Sequence, residues 1–273
     1  MSYNEGNTVR ASVVQLDAYG PWTVTPEPRR ETDIQALQAR LYADFADFMG
    51  YHDGYAFFNR FDNMIGIGNH VSVDEYKRFQ ERIRNRYPVT ASIGIGEDVT
   101  PAGAIDAASE GIQSTGSAQD LSRNETVQHV QKGPDTLQPK ATIAHFDIVD
   151  VTSKYTDQQS EIATQSAVWE SVSVLKRVLY EEYDSAAYFV GGDNVIAICP
   201  SLDTHAFKSI LEEVHQQTSI TYQVGVGEGQ TAHEAGDRAK HALERCRENG
   251  TRLCEYESDG QYEHYLNMES AND

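Results

Sequence analysis

Two short stretches carry an acid and an amide where a buried strand would carry neither. They are Asp62-Asn63 in FFNRFDNMIGI (57–67) and Asp193-Asn194 in YFVGGDNVIAI (188–198). A second kind of acid ends an apolar run in each half of the chain: Asp17 in VVQLDAYGPW and Asp147 in IAHFDIVDVT. Two carboxylates held within a few ångström repel, and one rises in pKa unless a cation lies between them. Magnesium suits such a pair, because it prefers oxygen ligands and keeps waters that phosphate oxygens can replace. Asp17, Asp62, Asp147 and Asp193 are therefore the candidate catalytic and metal-binding residues. Two ions held by paired aspartates would suffice for metal-assisted displacement at phosphorus. The glycines of GGDN, Gly192 among them, let a backbone or a phosphate come close. A single such aspartate is more simply a surface acid at a strand end; its recurrence in both halves favours metal and phosphate.

The elements that must position these acids repeat. Asp17 matches Asp147 at an offset of 130 residues, and Asp62 matches Asp193 at 131. TASIGIGE from Thr90 matches TYQVGVGE from Thr221, again at 131. The chain thus reads as two copies of one domain, residues 9–113 and 141–256, joined by a polar linker (114–140) and followed by an acidic tail (257–273). Each copy predicts a strand ending in the first aspartate, a helix, two strands at about 55–69 or 186–199 with the Asp-Asn pair near their hairpin, a second helix and a fourth strand. In the first helix of copy one Ile34, Leu37, Leu41, Phe45 and Phe48 share a stripe, and Thr32 with Gln35 offers a capping box. Its counterpart in copy two carries Ile162, Ala163, Ala167, Leu175 and Leu179. Ser72 with Glu75 caps the second helix of copy one, and Pro88 follows its end. The order βαββαβ is that of an α+β, ferredoxin-like sheet with helices on one face. An extra helix closes each copy, clearest in EAGDRAKHALERCREN.

Composition excludes several classes. There are 42 acids against 22 bases, a net charge of −20 over 273 residues. Such a chain is repelled by nucleic acid and by anionic membranes, and suits a high-salt cytoplasm where self-repulsion is screened. Cys199, Cys246 and Cys254 form no C-x-x-C pair and the nine His no H-E-x-x-H, which argues for a reducing compartment and against zinc. No apolar run approaches about 18 residues, and MSYNEGNTVR has no signal-peptide core, so a cytoplasmic location is expected.

Several longer motifs are similar to those of archaeal GTP cyclohydrolase III. They are LDAYGPWTVTPEPRRETDIQALQARLYADF, NRFDN, NRYP, GSAQD, AHFDIVD and GGDN, spread over residues 11 to 256. GGDN also resembles the hairpin of diguanylate cyclases, and FDIVDVT the first strand of adenylyl cyclases. The resemblance implies two tandem palm domains arisen by duplication. It implies hydrolysis of GTP to 2-amino-5-formylamino-6-ribosylamino-4(3H)-pyrimidinone 5′-phosphate with release of pyrophosphate, an early step of flavin and deazaflavin synthesis. It also implies magnesium (two ions), with potassium or ammonium as activator. The sequence departs from the family pattern at Ala18, where Asn is expected, and at Val149, where Asn is frequent; neither change removes a carboxylate. Two other functions share these carboxylates: a nucleotidyl cyclase, and a non-catalytic GTP-binding palm pair. GTP is the expected partner, with no nucleic acid and no membrane, and the working form is expected to be a homo-oligomer.

Either copy can hold the site. Arg29, Arg30 and Arg60 cluster around the first, and bases beside a triphosphate are informative in so acidic a chain. Arg29 and Arg30 also precede a helix, where they can pair with surface acids. Trp22 stacks on guanine or belongs to the core, on a loop stiffened by Pro21, Pro26 and Pro28. The second copy offers the glycine-rich hairpin and only Lys154 as a nearby cation. The cations place Asp17 and Asp62, assisted by Asn63, ahead of Asp147 and Asp193, which Asp150 and Asn194 could assist. A site composed from both copies also remains open.

Overall fold

In the computed structural model the described residues are 7–134, 138–151, 153, 157–256 and 262–267. They form two units, one carrying β1 to β6 and the other β7 to β12.

The first unit runs β1 (Asn7–Leu16), α1 (Tyr19–Val24), α2 (Glu31–Tyr51), β2 (Tyr55–Phe58), β3 (Asn63–Ile67), α3 (Val73–Arg86), β4 (Ala91–Asp98), α4 (Pro101–Gln113), β5 (Val127–Gln131) and β6 (Gln138–Pro139). The main sheet order is β2-β3-β1-β4-β5, with β6 beside β1. The central strand β1 is antiparallel to both β3 and β4. The second unit runs β7 (Ala141–Ile148), α5 (Glu161–Tyr183), β8 (Ala186–Gly191), β9 (Asn194–Cys199), α6 (Thr204–Thr218), β10 (Tyr222–Gly229), α7 (Ala232–Asn249), β11 (Thr251–Tyr256) and β12 (Tyr262–Asn267). Its sheet order is β12-β11-β10-β7-β9-β8. Both units are α+β with the ferredoxin-like βαββαβ order, and the hairpins β2–β3 and β8–β9 lie beside the first strands as that order requires.

Helices cover both faces of each sheet rather than one. Along β10 the side chains alternate: Val224 and Val226 join the core beneath α5 and α6, while Gly225 and Gly227 face α7. A Cβ on Gly225 would strike the Ala239 carbonyl and the Leu243 amide of α7, so the GVG spacing is what admits that helix. Gly94 and Gly96 do the same for α4.

Other local expectations divide. Ser72 and Glu75 form their capping box, with Ser72 N donating to Glu75 Oε2 at 2.8 Å and Glu75 N to Ser72 Oγ at 3.3 Å. Thr32 and Gln35 do not, because α2 already begins at Glu31 and Thr32 lies within its first turn. In α2 the buried stripe is Leu37, Leu41, Phe45, Phe48 and Met49. In α5 Ile162 and Ala163 are exposed, and the buried stripe starts at Thr164 and Val168 before reaching Leu175 and Leu179. The segment read as linker contains β5, which pairs in parallel with β4. Its alternation of Val with Gln and His concealed a strand that is only half-buried. Within the segment read as acidic tail, 262–267 form β12 against β11; 257–261 and 268–273 lie outside the described residues, as does Lys154.

Candidate active site

Strand register decides which acids correspond. Gln15 pairs with Asn63 on one side and Ser92 on the other. Asp147 pairs with Asn194 and Gln223, the counterparts of Asn63 and Ser92. Two residues further the pattern holds, since Asp17 N donates to Thr90 O at 3.0 Å and Val149 N to Thr221 O at 2.9 Å. Ala18 and Asp150 then share a left-handed turn, with φ of 48° and 57°. So Asp147 corresponds to Gln15, and Asp17 to Val149. The match of Asp17 with Asp147 is corrected by two residues: the acid of the first strand is not duplicated. A two-residue shift keeps a side chain on the same sheet face, which is why sequence spacing alone concealed it.

The two aspartates consequently sit in different surroundings. Asp17 accepts from Ser92 Oγ at 2.8 Å and Thr90 Oγ1 at 3.0 Å, and it forms an ion pair with Arg123. The side chains of that pair are 3% and 6% exposed, and Arg123 also donates to Gln15 Oε1 at 3.2 Å. Arg123 comes from the segment read as linker. Ala118 of the GSAQD motif accepts from Ala18 N at 2.7 Å and Gly116 O from Arg123 at 3.0 Å, so the motif fastens this segment to the end of β1. The charge of Asp17 is thus committed to a buried arginine. This geometry runs against the lead that the cations gave to the first copy. Arg60 is exposed at the β2–β3 turn and does not line the cleft that holds Arg29 and Arg30.

In the second unit a cleft of about 630 Å³ brings together Asp147, Asp150, Asp193, Asn194, Gln223 and Arg247. Asp147 Oδ2 accepts from Gln223 Nε2 at 2.8 Å and from Arg247 Nη2 at 2.9 Å; Oδ1 takes no hydrogen bond among the described residues. Asp193 stands on the β8–β9 turn, where Gly191 and Gly192 adopt φ of 116° and 64°. The first value is one that only glycine adopts readily, so the glycines shape the hairpin. In β2–β3 the slot of Gly192 is held by Phe61 at φ 61°. Asp193 Oδ1 accepts from Asn194 Nδ2 at 3.0 Å, and Asn194 Oδ1 accepts from His145 Nε2 at 2.9 Å. Asp62 and Asn63 make the first of these bonds too, at 2.9 Å. Burial, then the charge of Asp147, raises the Asp193 carboxyl above its ordinary value, with Arg247 partly offsetting them. Burial holds His145 below its ordinary value, so it serves as a neutral donor.

The open Oδ1 of Asp147, the raised Asp193 and the buried Gln223 Oε1, which has no hydrogen-bond partner, make an all-oxygen donor set. Such a set fits a hard divalent cation. Among the described residues no group of three or more His, Cys, Asp or Glu converges. A magnesium ion here would rest on two carboxylates and complete its shell with water and phosphate.

Residues 10–255 match the family described as GTP cyclohydrolase III. The chain belongs to the GTP cyclohydrolase III family. It is 50% identical over 243 residues to GTP cyclohydrolase III 2 of Halobacterium salinarum, covering 89% of this chain and 96% of that one. It is 40% identical over 247 residues to GTP cyclohydrolase III of Methanococcus maripaludis, covering 89% and 90%. Part of the chain is also similar to the GGDEF domain of DgcB from Caulobacter crescentus, at 20% identity and TM-score 0.37 over 42% of this chain and 77% of that one. For a GTP cyclohydrolase III chain, the residues that motif reading missed are Arg247 and Gln223 in the acidic cleft and His145, which bonds Asn194 on its lining. His145 lies within AHFDIVD and Gln223 within TYQVGVGE, but Arg247 carried no local signal, since it lies on α7, 100 residues from the aspartate it contacts. Arg123 did carry one, because it sits three residues past GSAQD.

Proposed function

We propose that this chain hydrolyses GTP to 2-amino-5-formylamino-6-ribosylamino-4(3H)-pyrimidinone 5′-phosphate and pyrophosphate in the Asp147–Asp193 cleft. The observation that carries this reading is the pair of carboxylates, Asp147 on β7 with an open oxygen and Asp193 on the turn of the neighbouring hairpin, raised in pKa, in a chain of this family. Two waters are consumed: one cleaves between the α and β phosphates, and one adds at C8 and opens the imidazole ring. Asp147 and Asp193 would hold magnesium, which when bound supplies charge for the phosphates and an acidified water. The chain's own groups do the positioning. Gln223 fixes one Asp147 oxygen, and the relay from His145 through Asn194 fixes Asp193. Arg247, at the cleft wall, offers a cation to the triphosphate while moderating the repulsion between the two aspartates. Asp150 lines the same cleft. Potassium or ammonium as activator is part of the same proposal, as are a cytoplasmic location, a halophilic habit and a homo-oligomeric working form that light scattering reads.

Mass spectrometry of the products tests the reaction. The expected result is the formylaminopyrimidine monophosphate and pyrophosphate, abolished by EDTA and restored by magnesium. A cyclic nucleotide, or unchanged GTP in high potassium with magnesium, overturns it.

A further inference from the structure

The first unit holds a second cleft system that shares no residue with the acidic cleft. One lobe, about 850 Å³, is walled by Arg29, Arg30, Arg40 and Arg86, with Glu27 and Asp33 as the opposing acids. The adjoining lobe, about 430 Å³, is walled largely by apolar groups such as Pro21, Val89 and Leu121. Trp22, Tyr87 and Pro88 line both lobes. We propose that this double cleft binds a nucleotide, with its base in the apolar lobe and its phosphates in the arginine lobe.

The arginines are the first reason. The guanidinium groups of Arg30 and Arg40 form no hydrogen bond or ion pair among the described residues, in a chain with 22 bases to 42 acids. Two uncommitted guanidinium groups in one concavity suit phosphate, which arginine binds through paired N–H donors. Arg29 is already oriented, since its Nε donates to Trp22 O at 2.8 Å and its Cζ stands 4.0 Å from the centre of the Trp22 ring. Arg30 is also the N-cap residue of the 21-residue α2, whose first turn has no side-chain cap.

The shared wall is the second reason. Arg86 grips Asp44 at 2.7 and 2.8 Å, and Tyr87 donates to the same carboxylate at 2.6 Å. Burial and Asp44 push the Tyr87 phenol up to about 12, so it stays a neutral donor. The ring is therefore held between the lobes, with Trp22 half-buried against the core on the other side. A flat apolar slot joined to a cationic one is the shape and charge of a base with its phosphates. The only aspartate on the apolar lobe is Asp17, committed to Arg123. Glu27 and Asp33 line the arginine lobe and not the apolar one, so the double cleft is proposed as a binding site and not as a second reaction centre.

Trp22 is the reporter, because the chain has two tryptophans and the other is Trp169. The parent is Trp169→Phe carrying Asp147→Asn and Asp193→Asn, assayed in EDTA, with folding checked by circular dichroism. If that variant is unfolded, Trp169→Phe alone in EDTA takes its place. GTP should change Trp22 emission saturably with one nucleotide bound per chain, and pyrophosphate should compete. Arg30→Ala with Arg40→Ala should weaken GTP at least tenfold with the circular dichroism unchanged. No saturable Trp22 response to GTP, or one indifferent to the arginine variants, overturns the site. Loss of all GTP binding on replacing the two aspartates, with the fold intact, also overturns it. The choice of GTP as probe rests on the proposed activity, whose own failure is read separately from the reaction products.

Discussion

Two aspartates that look alike in sequence have opposite consequences when neutralised. Asp147→Asn and Asp193→Asn should each lower turnover about 10²–10³-fold, the usual cost of losing one group that stabilises transition-state charge. Asp17→Asn should act on the fold instead. It strands Arg123, whose side chain is 3% exposed, and breaking a buried ion pair costs about 3–5 kcal/mol. Arg247, the partner of Asp147, is 39% exposed and can turn to water, so Asp147→Asn should unfold at nearly the parent temperature. Asp193 gives the comparison a pH signature. Its carboxyl is raised in the folded state, so ionising it costs stability as pH rises through the folded pKa. Magnesium-free Asp193→Asn should therefore melt above the parent at neutral pH, and the gap should close as pH falls toward the unfolded value of about 3.9. Thermal melts across pH with turnover on the same samples read all three variants. A dead but stable Asp17→Asn, with active Asp147→Asn and Asp193→Asn, would reverse the assignment of the two halves.

Elements are positioned by residues that do no chemistry. Gly225 faces α7, where a Cβ would meet the helix backbone rather than a flexible side chain. Backbone cannot step aside cheaply, so Gly225→Ala should cost roughly 1–3 kcal/mol or more. The same change shifts α7 and with it Arg247, so turnover should fall beyond the loss of folded protein. Urea melts with turnover normalised to the folded fraction check this; an unchanged midpoint would show that α7 does not pack against β10 through that glycine. The glycine spacing in ASIGIG and YQVGVG was visible in the sequence as a strand signal. Its second meaning, that one face is bare so a helix can approach, follows only from which face of the strand is already filled by Ile93, Ile95, Val224 and Val226.

For the whole molecule the governing quantity is the net charge of −20. Self-repulsion on this scale weakens as salt shortens the Debye length from about 10 Å at 0.1 M to about 3 Å at 1 M. The melting temperature should rise across that range of potassium chloride, and by more than it rises with an equal activity of sucrose, which does not screen charge. Equal effects of the two would assign the stabilisation to solvent exclusion. No helix among the described residues is long and apolar enough to cross a membrane.

The sequence by itself determined the repeated βαββαβ elements and their duplication, though not β5 or β12, because hydrophobic period, helix caps and turn chemistry are local. Ser72 with Glu75, the stripe of α2 and the two Asp-Asn hairpins could be read there. It also determined the family, through motifs long enough to be specific. It did not determine which aspartates correspond, because a slip of two along a strand keeps the side chain on the same face and changes only the partner across the ladder. Nor did it show that Arg123 neutralises Asp17, or that Arg247 and Gln223 converge on Asp147, since those contacts join residues 76 to 106 positions apart. Charge pairing across such distances is settled by tertiary packing, and here that packing separates the aspartate held by a buried arginine from the aspartate left with an oxygen open to a ligand.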